Sequence, residues 1–116
     1  MKDARQQTAA MDFSVLAELV GGDREKMRRL AYKFLDTTRQ DMDKVAAALA
    51  GNDAAQLKAM GHHIKSPAAM MGAMGFAELC RALEINAGDP DKARELVRQM
   101  QVLFAEIEGQ TKAEFA

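Results

Sequence analysis

The sequence contains few of the residues on which several common kinds of protein depend. Its 116 residues include no tryptophan, one tyrosine, two prolines and a single cysteine, Cys80. One thiol cannot form an intrachain disulfide or a cysteine-rich metal site, which favours a reducing compartment and predicts a cytoplasmic protein. No stretch approaches the roughly 20 apolar residues that a membrane span requires, and residues 1–10 lack the apolar core of a signal peptide. We therefore expect a soluble chain without a membrane segment.

Charge of one sign is not in excess either. The 16 basic and 17 acidic residues give a formal net charge of -1. Such a balance provides no general attraction to nucleic acid or to an anionic membrane, so a partner must be recognised locally. The length fits one domain over residues 1–116, of which residues 1–10 are predicted to be a flexible N-terminal segment.

The residues that are abundant favour helices. Alternation with period two is lacking and β-branched residues are sparse, whereas apolar residues recur at spacings of three and four. We predict an all-α fold, an antiparallel four-helix bundle with a short additional N-terminal helix. Capping residues, glycines and the apolar spacing give the five helices, which are expected over Asp12–Val20, from Asp23 to Gly51, from Asp53 to Gly72, through Phe76–Ala87, and from Pro90 to about Lys112.

Both histidines lie in the third predicted helix. The inward stripe includes Ile64, and His62 lies two residues before it, about 200° away around the helix axis, so it faces outward. An exposed imidazole is largely neutral at cytosolic pH because its reference pKa is about 6.5, and its lone pair can then attack a phosphoryl group. The neighbours of His62 at helical spacing suit an anion: Lys58, Lys65, Ser66 and Ala69.

The residues around His62 carry a family resemblance. The segment His62-x-Ile64-Lys65, followed by small residues and Gly72 and then by Leu79-Cys80 and Leu83-Glu84, resembles the histidine-containing phosphotransfer domain of two-component phosphorelays. In that family a glycine commonly lies seven positions after the lysine, where Gly72 stands. The resemblance runs from Asp53 to Ala87. It implies that His62 is phosphorylated, on Nε2, that Lys65 is the cation near the phosphate, and that Gly72 forms the turn after the helix.

The resemblance also implies a role and a set of partners. The chain would accept a phosphoryl group on His62 from a receiver-domain aspartate and pass it to another response regulator, in either direction. Its partners would be receiver domains and a hybrid or sensor histidine kinase. The receiver is expected to supply Mg²⁺ and the acidic pocket, while this chain is expected to be a monomeric carrier with no cofactor and no nucleotide site of its own.

Two residues depart from the family pattern. Ser66 stands in place of the usual glycine after the lysine, and Pro67 replaces a small residue. Proline removes the hydrogen bond to the carbonyl of His63, so we predict that the helix kinks or loosens just past His62. Pro67 also makes the segment resemble the H-box of histidine kinase dimerisation domains.

Two alternatives to the carrier therefore remain at this point. One is the dimerisation and phosphotransfer fragment of a sensor kinase, although His63 stands where that pattern commonly has an acidic residue and the chain has no glycine-rich ATP-binding domain. The other is a helical interaction module without phosphochemistry. A metal site at His62 and His63 is not expected, because adjacent helical residues diverge and no third ligand is suitably spaced. His63, Ala69 and Met70 are candidates for contact with a docking protein.

Overall fold

The fold is all-α, as predicted. The computed structural model describes residues 10–116, and within this range it contains five helices and no strand. The predicted flexible segment, apart from Ala10, lies outside the described residues. The helices are α1 at Phe13–Leu19, α2 at Arg24–Ala50, α3 at Ala54–Met70, α4 at Met74–Asn86 and α5 at Pro90–Glu114.

Aspartates fix the start of four of these helices. In each case the aspartate is the N-cap residue, and its side chain accepts a hydrogen bond from a backbone N–H two or three positions later. Such a bond satisfies one of the N–H groups that the first turn of a helix leaves without a helical partner. The four N-caps are Asp12, Asp23, Asp53 and Asp89.

The four long helices close into a bundle. α3 packs between α2 and α4, and α5 packs against both α4 and α2. Connections of three residues join consecutive long helices, which places them antiparallel. The core is filled by fully buried apolar side chains from all four helices, among them Leu35, Val45, Ile64, Phe76, Leu83, Met100 and Ile107. Within residues 10–116, none of the helices combines the length and the apolar character that a membrane crossing needs.

The short helix α1 is attached to the end of the bundle where α3 meets α4. The backbone N–H of Asp12 donates to the carbonyl of Gly72 at 2.9 Å. The side-chain amide of Gln110 on α5 accepts from the N–H of Met11 and donates to its carbonyl. Gly72 has φ +80, and a Cβ there would collide with the carbonyl of Asp12. The turn between α3 and α4 therefore requires glycine for two reasons, its positive φ and the close approach of α1.

Candidate functional site

His62 lies on the solvent face of α3, with its imidazole held from one side. Its side chain is 72% exposed, and Nδ1 lies 3.0 Å from Oε2 of Glu84 on α4. An ionised carboxylate only accepts hydrogen bonds, so Nδ1 carries the ring proton in the neutral imidazole. The lone pair is then on Nε2. This is the nitrogen through which an exposed imidazole can attack.

Glu84 also binds the lysine of the predicted motif. Lys65 Nζ donates to Oε1 of Glu84 at 3.0 Å, so the two carboxylate oxygens have different partners. The hydrogen bond from Lys65, and after it the one from His62, lowers the pKa of the Glu84 carboxyl below its ordinary value. The side chains of Glu84 and Lys65 are 22% and 32% exposed, far less than that of His62. A charged pair therefore lies beside and partly beneath the imidazole.

Gly61 explains how a residue on α4 comes so close to His62. A Cβ on Gly61 would lie 2.6 Å from the carbonyl oxygen of Cys80 and 3.1 Å from the backbone nitrogen of Glu84. Real Cβ atoms do not approach a backbone so closely, so only glycine permits this packing. The backbones of α3 and α4 thus touch one residue before His62, and Glu84 reaches both His62 and Lys65 from the contact.

The other predicted site residues are placed as helical spacing requires. Lys58 and Ser66 are exposed on α3, one turn before and one turn after His62. Gly72 lies in the turn that follows the helix. Lys58, Lys65 and Ser66 therefore lie within about one helical turn of His62 on α3.

His63 faces a different part of the surface. Its side chain is 61% exposed, and Nε2 lies 3.4 Å from Oδ2 of Asp41, a nearly buried carboxylate on α2. Beside this pair, a groove of about 350 Å³ runs between α2 and α3, with Pro67 and Met70 on its lining. Most of the lining is apolar: Leu30, Phe34, Ile64, Pro67, Met70 and Met71. Of the three docking candidates, His63 and Met70 border this groove, and Ala69 is half-buried.

The proline does not end α3. The helix continues through Pro67 to Met70, and the carbonyl of Pro67 accepts from the N–H of Met71 at 3.1 Å. A proline nitrogen carries no hydrogen, so the carbonyl of His63 lacks its usual helical donor. The predicted kink stays a prediction.

The described residues give little support to metal binding or to reactivity of the single thiol. Among the described residues, no group of three or more His, Cys, Asp or Glu side chains is arranged to hold a metal ion. Burial raises the pKa of the Cys80 thiol to about 12, so this sulfur stays protonated and unreactive at neutral pH. The chemistry of this surface is therefore that of the histidines and their charged neighbours.

Sequence reasoning missed two residues of the site. It described a surround of cations and a hydroxyl, whereas the structure adds a carboxylate, Glu84, from a second helix. Glu84 directly follows Leu83 of the inner stripe, so it lies at the border of the face that α4 packs on α3. Gly61 was visible as a glycine inside a helix, which usually has a packing reason.

Comparison with known proteins agrees with this geometry. The Hpt domain matches residues 29–110 of the chain. None of the curated proteins compared with the chain matches it significantly. Among solved structures, the crystal structure of histidine-containing phosphotransfer protein B (HptB) from Pseudomonas aeruginosa PAO1 is similar to it, with 30% sequence identity and a TM-score of 0.84. The alignment covers 91% of this chain and 94% of that one.

These matches decide between the resemblances that Pro67 left open. They favour the phosphotransfer domain over the kinase dimerisation fragment, since the matched region spans all four long helices rather than one hairpin. They likewise support phosphochemistry over a purely structural interaction module. The chain belongs to the histidine-containing phosphotransfer (Hpt) domain family, whose members are phosphotransfer carriers in two-component phosphorelays.

Proposed function

We propose that the chain carries its phosphoryl group on Nε2 of His62. The observation that supports this most is the hydrogen bond from Nδ1 to Glu84, on an imidazole that is 72% exposed. It orients the ring and leaves the lone pair on the nitrogen that points away from Glu84. His63, the other histidine, has its Nε2 turned towards Asp41 instead.

The lysines stabilise the phosphoryl group in this proposal. Lys65 is one turn after His62, and both side chains contact Glu84. Lys58 is one turn before His62 on the same face. Both lysine side chains are long enough to move towards a phosphate on Nε2. Ser66 adds a hydroxyl donor, and Gly72 shapes the turn at the end of α3.

The chemical step is an in-line transfer between a carboxylate and an imidazole. The Nε2 lone pair forms the N–P bond as the bond between phosphorus and the aspartyl oxygen of the donor breaks, and the electron pair of that bond stays on the aspartate. The reverse reaction delivers the phosphoryl group to a second receiver. The receiver supplies Mg²⁺ and an acidic pocket, and this chain contributes the nucleophile and nearby cations.

Several finer properties follow from the same role. We infer that the chain binds no cofactor or nucleotide of its own, does not phosphorylate itself and works as a monomer. It forms a single domain over residues 1–116. Its partners are response-regulator receiver domains and a hybrid or sensor histidine kinase, and the exchange takes place in the cytoplasm. The groove bordered by His63 and Met70, together with Ala69, is part of the docking surface for these partners.

Paired substitutions of the two histidines test the site. We expect His62→Gln to abolish phosphorylation of the chain by a phosphorylated receiver domain, and His63→Gln to leave acid-labile label on His62. Both side chains are exposed, so neither change should unfold the protein. Circular dichroism checks the fold, and mass spectrometry under neutral conditions maps the label. Label that persists in His62→Gln would contradict the proposal, as would failure of every receiver of the source organism to transfer.

A further inference from the structure

We propose that Met70 is an oxidation site through which peroxides weaken the docking of partner receiver domains. The site itself is inferred from the exposure of the methionine side chains. Its effect on docking rests on the proposed function, because it requires a receiver bound over His62 and over the groove that Met70 lines.

The methionines of this chain differ widely in exposure. Met70 and Met74 are 54% and 52% exposed, whereas the other six methionines of residues 10–116 are buried. The buried ones are Met11, Met27, Met42, Met60, Met71 and Met100. An oxidant must reach the sulfur to react with it, so we expect modification at the two exposed residues first.

The thiol of Cys80 does not compete with Met70 for an oxidant. Its side chain is fully buried, and burial raises its pKa to about 12. Thiols react with peroxides as thiolates, and a thiol with this pKa is protonated at neutral pH. A thioether has no proton to lose, so its reaction needs no ionisation.

The reaction balances with a peroxide as its co-reactant. A lone pair of Sδ attacks one oxygen of hydrogen peroxide, and the S–O bond forms as the O–O bond breaks. The second oxygen takes up the proton of the transferred oxygen and leaves as water. The sulfur loses two electrons to become a sulfoxide, and the peroxide gains them. Methionine sulfoxide reductases return the sulfoxide to the thioether, so the modification is reversible.

The position of Met70 distinguishes it from Met74. Met70 lies on α3 eight residues after His62, which is about 12 Å further along the helix axis. It lines the groove together with Phe34 and Pro67. A standard interface covers about 800 Å² of one partner, so a receiver centred over His62 also covers Met70. Met74 begins α4 beyond the turn and lies outside the lining of the groove.

A sulfoxide changes what this part of the groove can bind. The thioether is flexible and weakly polar, and in the proposed docking it packs against apolar side chains of the partner. The sulfoxide oxygen is strongly polar and loses its water when a partner covers it, which weakens binding unless a hydrogen-bond donor faces it. The free chain should keep its fold, because the Met70 side chain is half exposed.

Peptide mapping tests the site without a partner. The full folded chain is treated with dilute hydrogen peroxide for increasing times, catalase ends the reaction, and mass spectrometry quantifies each sulfoxide. We expect Met70 and Met74 to be modified at least about tenfold faster than Met71, their buried neighbour. Equal rates at Met70 and Met71 overturn the inference.

Phosphoryl transfer tests the effect on docking. Treated and untreated chains are incubated with increasing concentrations of a phosphorylated receiver domain, after the peroxide has been removed so that the receiver is not oxidised. We expect the receiver concentration for half-maximal labelling of His62 to rise about fivefold to tenfold after treatment. A methionine sulfoxide reductase should restore the original value. Circular dichroism checks the fold.

Two variants assign the effect to one sulfur. Met74→Leu removes the exposed methionine outside the groove and should respond to peroxide as the wild type does. Met70→Leu keeps an apolar side chain of similar size without the sulfur, so its treated and untreated forms should give the same half-maximal concentration. Unchanged transfer by a wild-type chain fully oxidised at Met70 overturns the inference, and so does a full response to peroxide in Met70→Leu. Absence of label on His62 in the untreated wild-type chain counts against the proposed function instead.

Discussion

At the scale of the residue, Gly61 controls the geometry of the site although it takes no part in the chemistry. Its missing side chain allows α3 to rest on the backbone of α4 at Cys80 and Glu84. The carbonyl and amide that a Cβ would meet belong to a helix backbone and cannot move independently. The distance between His62 and Glu84 depends on this contact.

Substitution of Gly61 is therefore predicted to be costly. Gly61→Ala must push α3 and α4 apart, and we expect it to lower the free energy of unfolding by about 1–3 kcal/mol, as overpacked core positions do. It should also lengthen the contact between His62 and Glu84, which would slow the proposed phosphorylation of His62. Urea unfolding measures the first effect, and labelling by a phosphorylated receiver measures the second.

Gly109 is the matched control for Gly61. It lies inside α5, and an added Cβ there meets no atom of residues 10–116 within 4 Å. Gly109→Ala is expected to stabilise the chain by about 0.5–1 kcal/mol, because alanine is the better helix former. If Gly61→Ala proved as harmless as Gly109→Ala, the close packing of α3 on α4 would be wrong.

Residues also differ in how far the sequence could predict them. The outward position of His62 could be predicted because the stripe through Leu57 and Ile64 fixes which side of α3 is buried, and the exposed face follows from helix geometry. The place of Glu84 in the site could not be predicted. Its contacts depend on the distance and rotation between two helices, and the residue pattern of a single helix does not encode these. It required the packing that Gly61 permits.

At the scale of the element, the helices could be predicted because residues with capping side chains mark where they begin. The expected caps Asp23, Asp53 and Asp89 all accept the predicted backbone hydrogen bonds. The first helix, expected over Asp12–Val20, is one residue shorter at each end. It was harder to predict that α3 continues through Pro67. Tertiary packing of a buried helical face can outweigh the cost of one lost hydrogen bond.

The turn between α3 and α4 yields a prediction about how α1 is attached. Gly72→Ala would force an L-residue into a positive φ and would also place its Cβ against the carbonyl of Asp12. We expect a loss of stability greater than the roughly 1–3 kcal/mol of a strained backbone alone, together with partial release of α1. Urea unfolding gives the stability, and hydrogen exchange of the α1 amides reports the release.

Gly21 provides the comparison for Gly72. It has φ +64, yet a Cβ there finds open space among the residues that the structure describes. Gly21→Ala should therefore show the cost of the backbone conformation without a collision. Equal losses in Gly21→Ala and Gly72→Ala would mean that contact with Asp12 adds nothing.

At the scale of the whole molecule, surface charge pairs give the fold a predictable response to acid. Hydrogen bonds from Arg28 to Glu25, from Lys65 to Glu84 and from Arg98 to Glu95 lower the pKa of each carboxyl from its ordinary value of 4.5. For Glu95 the lowered value is about 2. Groups whose pKa is lowered by folding contribute stability above their unfolded pKa and lose it as the pH falls through the folded value.

We therefore expect the melting temperature to be level near neutral pH and to fall progressively as the pH is lowered from about 4.5 towards 2. Differential scanning calorimetry over this range measures it. Because the pairs of Glu25 with Arg28 and of Glu95 with Arg98 are largely exposed, salt should screen them and flatten the profile. A profile that is equally steep at high salt would indicate that buried groups cause the acid sensitivity instead.

The contact of the two helix backbones at Gly61 also bears on how the chain meets its partners. A histidine carried next to a fixed backbone can move only by rotation of its own side chain, and Glu84 restrains that rotation. Such a surface loses little conformational freedom when it is bound. In the proposed transfer, the conformational adjustment then falls on the partner rather than on this surface.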